Sequence, residues 1–347
     1  MINSQKKKNL ITLLILSILG LTCVFSSNFN VWITKFFLNQ NIVTKRDNLL
    51  VHFISVGQGD AIAINLPDER VVLIDTGTID YSVDYTDYLY ENVLSNSKNR
   101  NIDYLILSHA DADHIGGTKR LIQNFNVKKI ILPVIDSETE IYTEIKNEIS
   151  KNNIDTNIVE ENELSKNGYK FNFYYIEDED TNASSTVVKL SYKNLGFLFA
   201  GDIDIEAENK LISKYGEELD SDVLKVAHHG SKMSTSKEFL DIVTPKYAVI
   251  SCAKNSYGHP TDTVLMNLSS AGAEIYRTDV VGNLLFAVDN TVGLRCLKYN
   301  YHITNLWFNY ALIVLIVEVL ILVKIVVDFV NILRRKAREK KLLVKKS

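Results

Sequence analysis

The chain has 347 residues, with 38 Lys+Arg against 42 Asp+Glu and a formal charge of −4. The average conceals basic ends. Residues 334–347 hold eight Lys/Arg and one Glu, Lys6, Lys7 and Lys8 cluster near the start, and between these ends 27 positive groups face 41 negative ones, a net of −14. An acidic body of this kind excludes a uniformly basic nucleic-acid coat. A 46% hydrophobic content with four Pro excludes disorder, and three Cys without paired spacing exclude a disulfide scaffold or a thiolate zinc ribbon.

In chain order, residues 10–25 come first, an uncharged apolar run behind the basic start. A spanning helix needs roughly 17–25 apolar residues, so this run is borderline. It reads as an uncleaved anchor with Trp32 just past it, since no small-x-small site follows to suit a cleaved signal peptide. From 49 the pattern turns to short strands: 49–56, closed by Gly57-Gln58-Gly59, then 61–66 and 70–74 around the Pro67-Asp68 turn. Residues 85–94 have helical spacing, 102–107 is a buried strand, 118–125 a helix, 129–134 a strand and 139–151 a helix. A second series gives strands at 169–176, 185–192 and 197–200, a helix at 205–214, a strand at 222–227, a helix at 236–243, a strand at 247–251, a helix at 261–269, and strands at 274–278 and 284–288. Early strands pair as hairpins and later ones alternate with helices, which predicts an α/β fold, a mixed αββα sandwich.

The last apolar run, 306–327, spans 22 residues interrupted only by Glu318 and Lys324, and opens with Trp307, Phe308 and Tyr310 where an aromatic belt would sit. Glu318 is read as a tolerated carboxylate in a single anchor. With both basic clusters at the outer ends of the chain, the positive-inside rule places both termini in the cytoplasm and the middle outside. The expected domains are 1–34, a basic start and anchor; 35–300, an extracellular catalytic domain; and 301–347, a second transmembrane helix and basic tail. Two candidate helices from one chain do not make a DNA channel.

The chemistry gathers at strand ends. Ser108-His109-Ala110-Asp111-Ala112-Asp113-His114-Ile115-Gly116-Gly117 follows a buried strand and precedes a helix. Two His and two Asp within six residues would need four separate partners in a core. In a loop, positions 109 and 111 point one way and 113 and 114 can turn toward a second point, which suits two cations sharing one site. Gly201-Asp202, His228-His229-Gly230-Ser231 and Tyr257-Gly258-His259-Pro260 each follow another predicted strand. Alone, each of these would be a turn or cap residue. Together, five of the seven His lie in these clusters beside strand-end Asp residues, and no Ser or Cys nucleophile motif competes with them.

His109-x-Asp111-x-Asp113-His114 with Gly201-Asp202 and a late His resembles the metallo-β-lactamase superfamily of binuclear metallohydrolases. Val56-Gly57-Gln58-Gly59-Asp60, Ile74-Asp75-Thr76-Gly77, Leu107–Gly117, Gly201-Asp202-Ile203, His228-His229-Gly230-Ser231 and Tyr257-Gly258-His259-Pro260 carry a closer resemblance, to the hydrolase domain of the ComEC competence family, over about residues 49–290. The resemblance implies that His109 and Asp111 hold a first metal and Asp113 and His114 a second, that Asp202 bridges both, and that His259 completes the second site. His229 or His228 would lie beside the substrate as ligand, phosphate contact or general acid; with Asp113 they are the catalytic candidates. Asp75 would orient a ligand His from behind.

The chain departs from the superfamily pattern in carrying Asp111 where a His is usual and in having no His between His114 and Asp202. The nearest stand-ins are Asn182, Ser184 and Ser185. The first site is therefore oxygen-rich, which raises Mn²⁺ against Zn²⁺. Ser55 stands where the ComEC family usually has Asp, expected to be minor.

The resulting expectation is a membrane-anchored, outward-facing hydrolase of phosphodiester bonds with two divalent metal ions and no nucleotide cofactor. The resemblance suggests DNA as substrate and a DNA-uptake channel as partner. The acidic body argues against strong nonspecific DNA affinity, so an envelope phosphodiester such as a teichoic acid or lipid headgroup is a rival, with a local basic rim around Lys225, Lys232 and Lys237 as the feature that would favour DNA. A degenerate, non-catalytic surface module and a β-lactam or thioester hydrolase are the other readings; the last expects the missing His. Cys252 and Cys296 are expected as free thiols rather than a pair, His52 and His302 as structural, and Tyr81, Tyr85, Tyr88 and Tyr90 as a half-exposed helix face rather than a stacking surface.

Overall fold

The structure, a computed structural model, describes residues 49–299 except 79–83, 98–99, 159–163, 167, 177, 179 and 290–292, together with single helical positions between 324 and 334. The apolar run 10–25 and nearly all of 306–327 lie outside the described residues, as do Tyr81, His302 and Glu318. Among the described residues no helix is long and apolar enough to cross a membrane. Residues 40–300 form one compact unit, and residues 1–39 with 301–347 are assigned to another.

The chain builds one sheet, crosses to a second, and returns. Strands β1 (Leu49–Phe53), β2 (Ile62–Asn65), β3 (Val71–Ile74), β4 (Tyr104–Ile106), β5 (Lys129–Leu132) and β6 (Asp155–Ile158) form most of the first sheet. Strands β7 (Tyr169–Tyr174), β8 (Val187–Tyr192), β9 (Leu195–Phe199), β10 (Val223–Lys225), β11 (Tyr247–Ile250) and β12 (Glu274–Arg277) form the second. Strands β13 (Asn283–Asp289) and β14 (Gly293–Tyr299) then return to the first sheet, giving the order β14-β13-β1-β2-β3-β4-β5-β6 against β12-β11-β10-β9-β8-β7. Both sheets are antiparallel at one end and parallel at the other. In the first, β3 through β6 run parallel; in the second, β9 through β12 do.

Alternation of side chains along each strand divides the apolar residues among three layers. Leu49, Val51, Phe53, Val72 and Ile74 meet Phe171, Phe197, Phe199 and Phe286 between the sheets. Val71 and Leu73 face out toward α2 (Thr118–Asn124) and α3 (Glu140–Lys151), which cover the first sheet after the short turn α1 (Ala112–Ile115). Leu198, Leu224 and Ala248 face α4 (Ile205–Tyr215), α5 (Lys237–Val243) and α6 (Asp262–Ser270) on the other side. The result is an αββα sandwich.

Several boundaries differ from the sequence expectation. The helical spacing at 85–94 resolves into a short helix Thr86–Tyr88, a π turn Leu89–Val93 and a 3₁₀ turn Leu94–Asn96. Strand β6 has only polar residues apart from one exposed Ile, so it lies at a sheet edge without an apolar pattern to announce it. Strand β14 at the opposite edge was also not expected. Cys252 and Cys296 form no disulfide.

Candidate metal centre

The parallel strands of both sheets end on the same side, and their following loops carry the polar residues, the usual place for a site in an open α/β sheet. Strand β3 leads to Asp75, β4 to Ser108 and His109, β9 to Asp202, and β10 to His228 and His229. Asp75 and both of the latter His adopt positive φ, 58°, 50° and 52° respectively. At 228–229 this turns two adjacent rings in different directions, with an interplanar angle of 79°.

Two glycines let the loops close on one another. A Cβ on Gly59, at φ +146°, would lie 2.3 Å from the Asp113 carbonyl oxygen, and one on Gly117 would lie 2.2 Å from that of Thr76. Backbone bonds complete the crossing: Asp60 N–H donates to Asp113 O at 3.2 Å, Thr76 N–H to His114 O at 2.7 Å, and Thr186 N–H, from the second sheet, to Ser108 O at 2.9 Å.

The three buried His of this cluster, His109, His114 and His229, share one arrangement. Ser108 Oγ gives its proton to Asp75 Oδ2 at 2.7 Å and so accepts from His109 Nδ1 at 3.0 Å. His114 Nδ1 donates to Asp75 Oδ2 at 2.8 Å. His229 Nδ1 donates to Ser251 O at 2.8 Å. Each ring is thus held by its Nδ1, which in the neutral ring leaves Nε2 as the lone-pair atom. All three Nε2 atoms are buried and have no hydrogen-bond partner. Such orphans are rare in a folded protein unless an ion or ligand meets them.

The carboxylates converge on the same place. His114 Nε2 is 3.1 Å from Asp202 Oδ1. His229 Nε2 is 3.2 Å from Asp113 Oδ2 and 3.6 Å from Asp202 Oδ2. One ligand atom from each of Asp113, His114, Asp202 and His229 falls within 4.8 Å of the others. His109 Nε2 lies 3.9 Å from Asp111 Oδ2. Asp111 takes the N-cap position of α1 yet makes no capping bond, and accepts instead from Thr181 Oγ1 at 3.2 Å. Where Nε2 faces a carboxylate oxygen at about 3 Å a positive charge has to sit, and these donors suit a divalent cation.

The electrostatics follow from that crowding. Burial alone would lower His114, but Asp202 and Asp75 outweigh it and hold its pKa well above the usual value. His109, buried beside charged His114, is held well below. Burial pushes Asp113 up, but the neighbouring His229 and His114 bring it down to about 2.

Three expected placements differ in the structure. His259 is outside the cluster: its ring neighbours are His228 at 5.8 Å and Tyr257 at 5.9 Å, and His229 completes the group with Asp113, His114 and Asp202. Ser184 is no stand-in ligand, because its hydroxyl is used inside its own loop, donating to Asp178 O at 2.7 Å and accepting from Asp178 N–H at 3.1 Å. Asn182 retains a buried Oδ1 without a partner, and Ser185 Oγ accepts from Asp202 N–H at 3.2 Å. Lys225 is not part of a basic rim. It is 1% exposed, ion-paired with Asp60, donates to Gly201 O at 3.2 Å and lies 3.7 Å from Asp202 Oδ1. Leu224 in β10 and Val226 just after it face the covering helices, so alternation sends Lys225 inward with Val223. Lys232 and Lys237 are exposed. Asp60 and Lys225 are the site-supporting residues that sequence reasoning missed.

The family model for the metallo-beta-lactamase superfamily matches residues 54–254. The chain is 33% identical over 270 residues to ComE operon protein 3 of Bacillus subtilis (strain 168), covering 70% of this chain and 33% of that protein. It is 31% identical over 238 residues to competence protein ComA of Neisseria gonorrhoeae, covering 67% and 31%. The chain therefore spans about a third of the length of these curated relatives. Among solved structures, the metallo-beta-lactamase fold protein YhfI from Bacillus subtilis aligns with a TM-score of 0.46 at 12% identity, over 70% of this chain and 99% of that one.

Proposed function

Because the chain belongs to the metallo-beta-lactamase superfamily, we propose that it is a membrane-anchored, outward-facing phosphodiesterase using two divalent cations. The observation that carries this is the set of three His anchored through Nδ1, with partnerless Nε2 atoms facing Asp113 and Asp202. His109 and Asp111, with Asn182 as the oxygen donor standing in for a third ligand, would hold one cation. Asp113, His114 and His229 would hold the other, and Asp202 would serve both. The carboxylate-rich first position favours Mn²⁺ over Zn²⁺. When bound, the cations would supply Lewis-acid polarisation of a phosphoryl oxygen and acidify a water toward neutrality.

The chain's own residues support the rest of the reaction. Asp75 and Ser108 hold the rings of His114 and His109 still. His228, half-buried with Nε2 4.0 Å from Asp202 Oδ2, is placed to give a proton to the departing oxygen.

DNA as substrate draws support from the resemblance to the ComEC family and from a relative named competence protein ComA, and a DNA-uptake channel would then be the partner. The body charge of −14 and the sealed position of Lys225 weaken the case for a duplex gripped by its phosphates, and an envelope phosphodiester is the second reading. Membrane anchoring rests on the two apolar runs and their basic flanks. The full chain in detergent should cleave bis-(p-nitrophenyl) phosphate with Mn²⁺, and Asp202→Ala should lose on the order of 100-fold or more of that rate. Wild-type activity in Asp202→Ala would sink the mechanism.

A further inference from the structure

We propose that Tyr257, backed by His259, forms a stacking subsite that seats a nucleobase of a single-stranded polynucleotide beside the candidate metal centre; this rests on the phosphodiesterase reading above. Tyr257 is 75% exposed, an aromatic ring standing in solvent at the rim of the site. Its ring lies 5.9 Å from that of His259, inclined by only 31°. His259 lies 5.8 Å from His228, whose Nε2 is 4.0 Å from Asp202 Oδ2. A file of three rings thus leads from solvent to the carboxylate that both cations would share.

The loop that presents this ring is fastened down. Asn255 Nδ2 donates to His259 O at 2.6 Å, to Ala253 O at 2.9 Å and to Gln58 Oε1 at 3.3 Å, and Asn255 Oδ1 accepts from His259 N–H at 3.1 Å. Ala253 N–H also donates to Gln58 Oε1, at 3.2 Å. Beyond the loop, Thr261 N–H donates to Gly230 O at 2.9 Å, so the far end is tied to the His228–His229 turn. An exposed ring on a loop knotted at both ends is pre-organised for a partner, with little ordering cost on binding.

The chemistry of the partner follows from what surrounds the ring. Lys232, Lys237 and Lys254 are exposed, but a body charge of −14 and a Lys225 buried against Asp60 weaken any grip on phosphates alone. Affinity then has to come from ring faces, which is how single strands are held without base-edge readout. Bases in a duplex are already stacked on each other, whereas a single strand offers them freely. A ring-free glycerol-phosphate polymer would gain nothing from Tyr257.

The test uses the full chain in detergent. Anisotropy with chelator present compares a labelled dT12 strand with an equal-length abasic strand. Wild type should bind dT12 about 5- to 100-fold more tightly than the abasic strand, with a shallow salt dependence. Tyr257→Ala should bring the two strands to the same affinity, and Tyr257→Trp should preserve the preference. With Mn²⁺, the Tyr257→Ala loss on dT12 should fall in KM and not in kcat. Unchanged dT12 binding by Tyr257→Ala, equal loss on both strands, failure of wild type to bind either, or tighter binding of a glycerol-phosphate polymer than of dT12 would each overturn the proposal. If wild type hydrolyses bis-(p-nitrophenyl) phosphate while any of these holds, only the stacking subsite falls; if it hydrolyses no phosphodiester, the underlying reading falls too.

Discussion

Lys225 sets the charge balance behind the candidate metal ligands. Its ammonium is fully buried and paired with Asp60, and the pair sits beneath Asp202. Burial opposes the charge on Lys225, and the carboxylates of Asp60 and Asp202 more than restore it. Removing one partner of a buried pair strands the other, at about 3–5 kcal/mol, whereas replacing both is often close to neutral. Lys225→Met should therefore lose about 3–5 kcal/mol of unfolding free energy by chemical denaturation. The double variant Lys225→Met, Asp60→Asn should recover most of it; no recovery would show that the two do not act as a pair. At this scale the sequence reveals the candidate ligands but not their support. His109, Asp113, His114 and Asp202 stand at recognisable strand ends, while Asp60 and Lys225 meet across 165 positions with no local pattern. Nor does His228-His229 disclose which ring turns inward, because the choice is made by two consecutive left-handed residues.

Strand β1 shows the same division at the scale of elements. Its alternation sends Leu49, Val51 and Phe53 into the central layer and His52 to the outer one. There His52 bonds Tyr88 OH at 2.9 Å and Asn65 Oδ1 at 3.1 Å, tying β1 to β2 and to the short helix Thr86–Tyr88. Burial lowers its pKa to about 4 despite the Asn65 bond. The folded chain thus keeps His52 neutral while the unfolded chain protonates it below about 6.5, so the unfolded state binds more protons in that window. The contribution is complete above pH 6.5 and falls away as pH drops toward 4, by at most about 3 kcal/mol. A His52→Gln variant should show a flatter fall in unfolding free energy between pH 6.5 and 4.5 than wild type; parallel slopes would refute the assignment. Alternation of this kind was readable for the buried strands. The polar β6 was not, because its place is dictated by pairing with β5 rather than by its own side chains.

Across the whole molecule, the ligand set draws on both sheets: His109, Asp113 and His114 follow β4, and Asp202 and His229 follow β9 and β10. A cation held by Asp113, His114, Asp202 and His229 would cross-link the two halves of the sandwich, and it would bind the folded state alone. At 100 times its Kd it adds about 2.7 kcal/mol. For a domain of this size that corresponds to a rise in Tm of about 5–10 °C. Titrating Mn²⁺ into wild type should produce this rise and should leave Asp202→Ala unmoved; equal shifts in both would mean that the ion binds elsewhere.

The return of β13 to the first sheet also has a consequence in time. Strand β1 pairs with β2 on one side through Phe53↔Ile62, and with β13 on the other through Phe53↔Leu284. The first partner follows within a few residues of synthesis. The second arrives about 230 residues later, roughly 12–46 s at ribosomal rates of 5–20 residues per second. For that interval an apolar strand in the middle of the finished sheet is an open edge, able to pair with a stranger. The nascent chain must therefore be shielded longest at the strand that is made first.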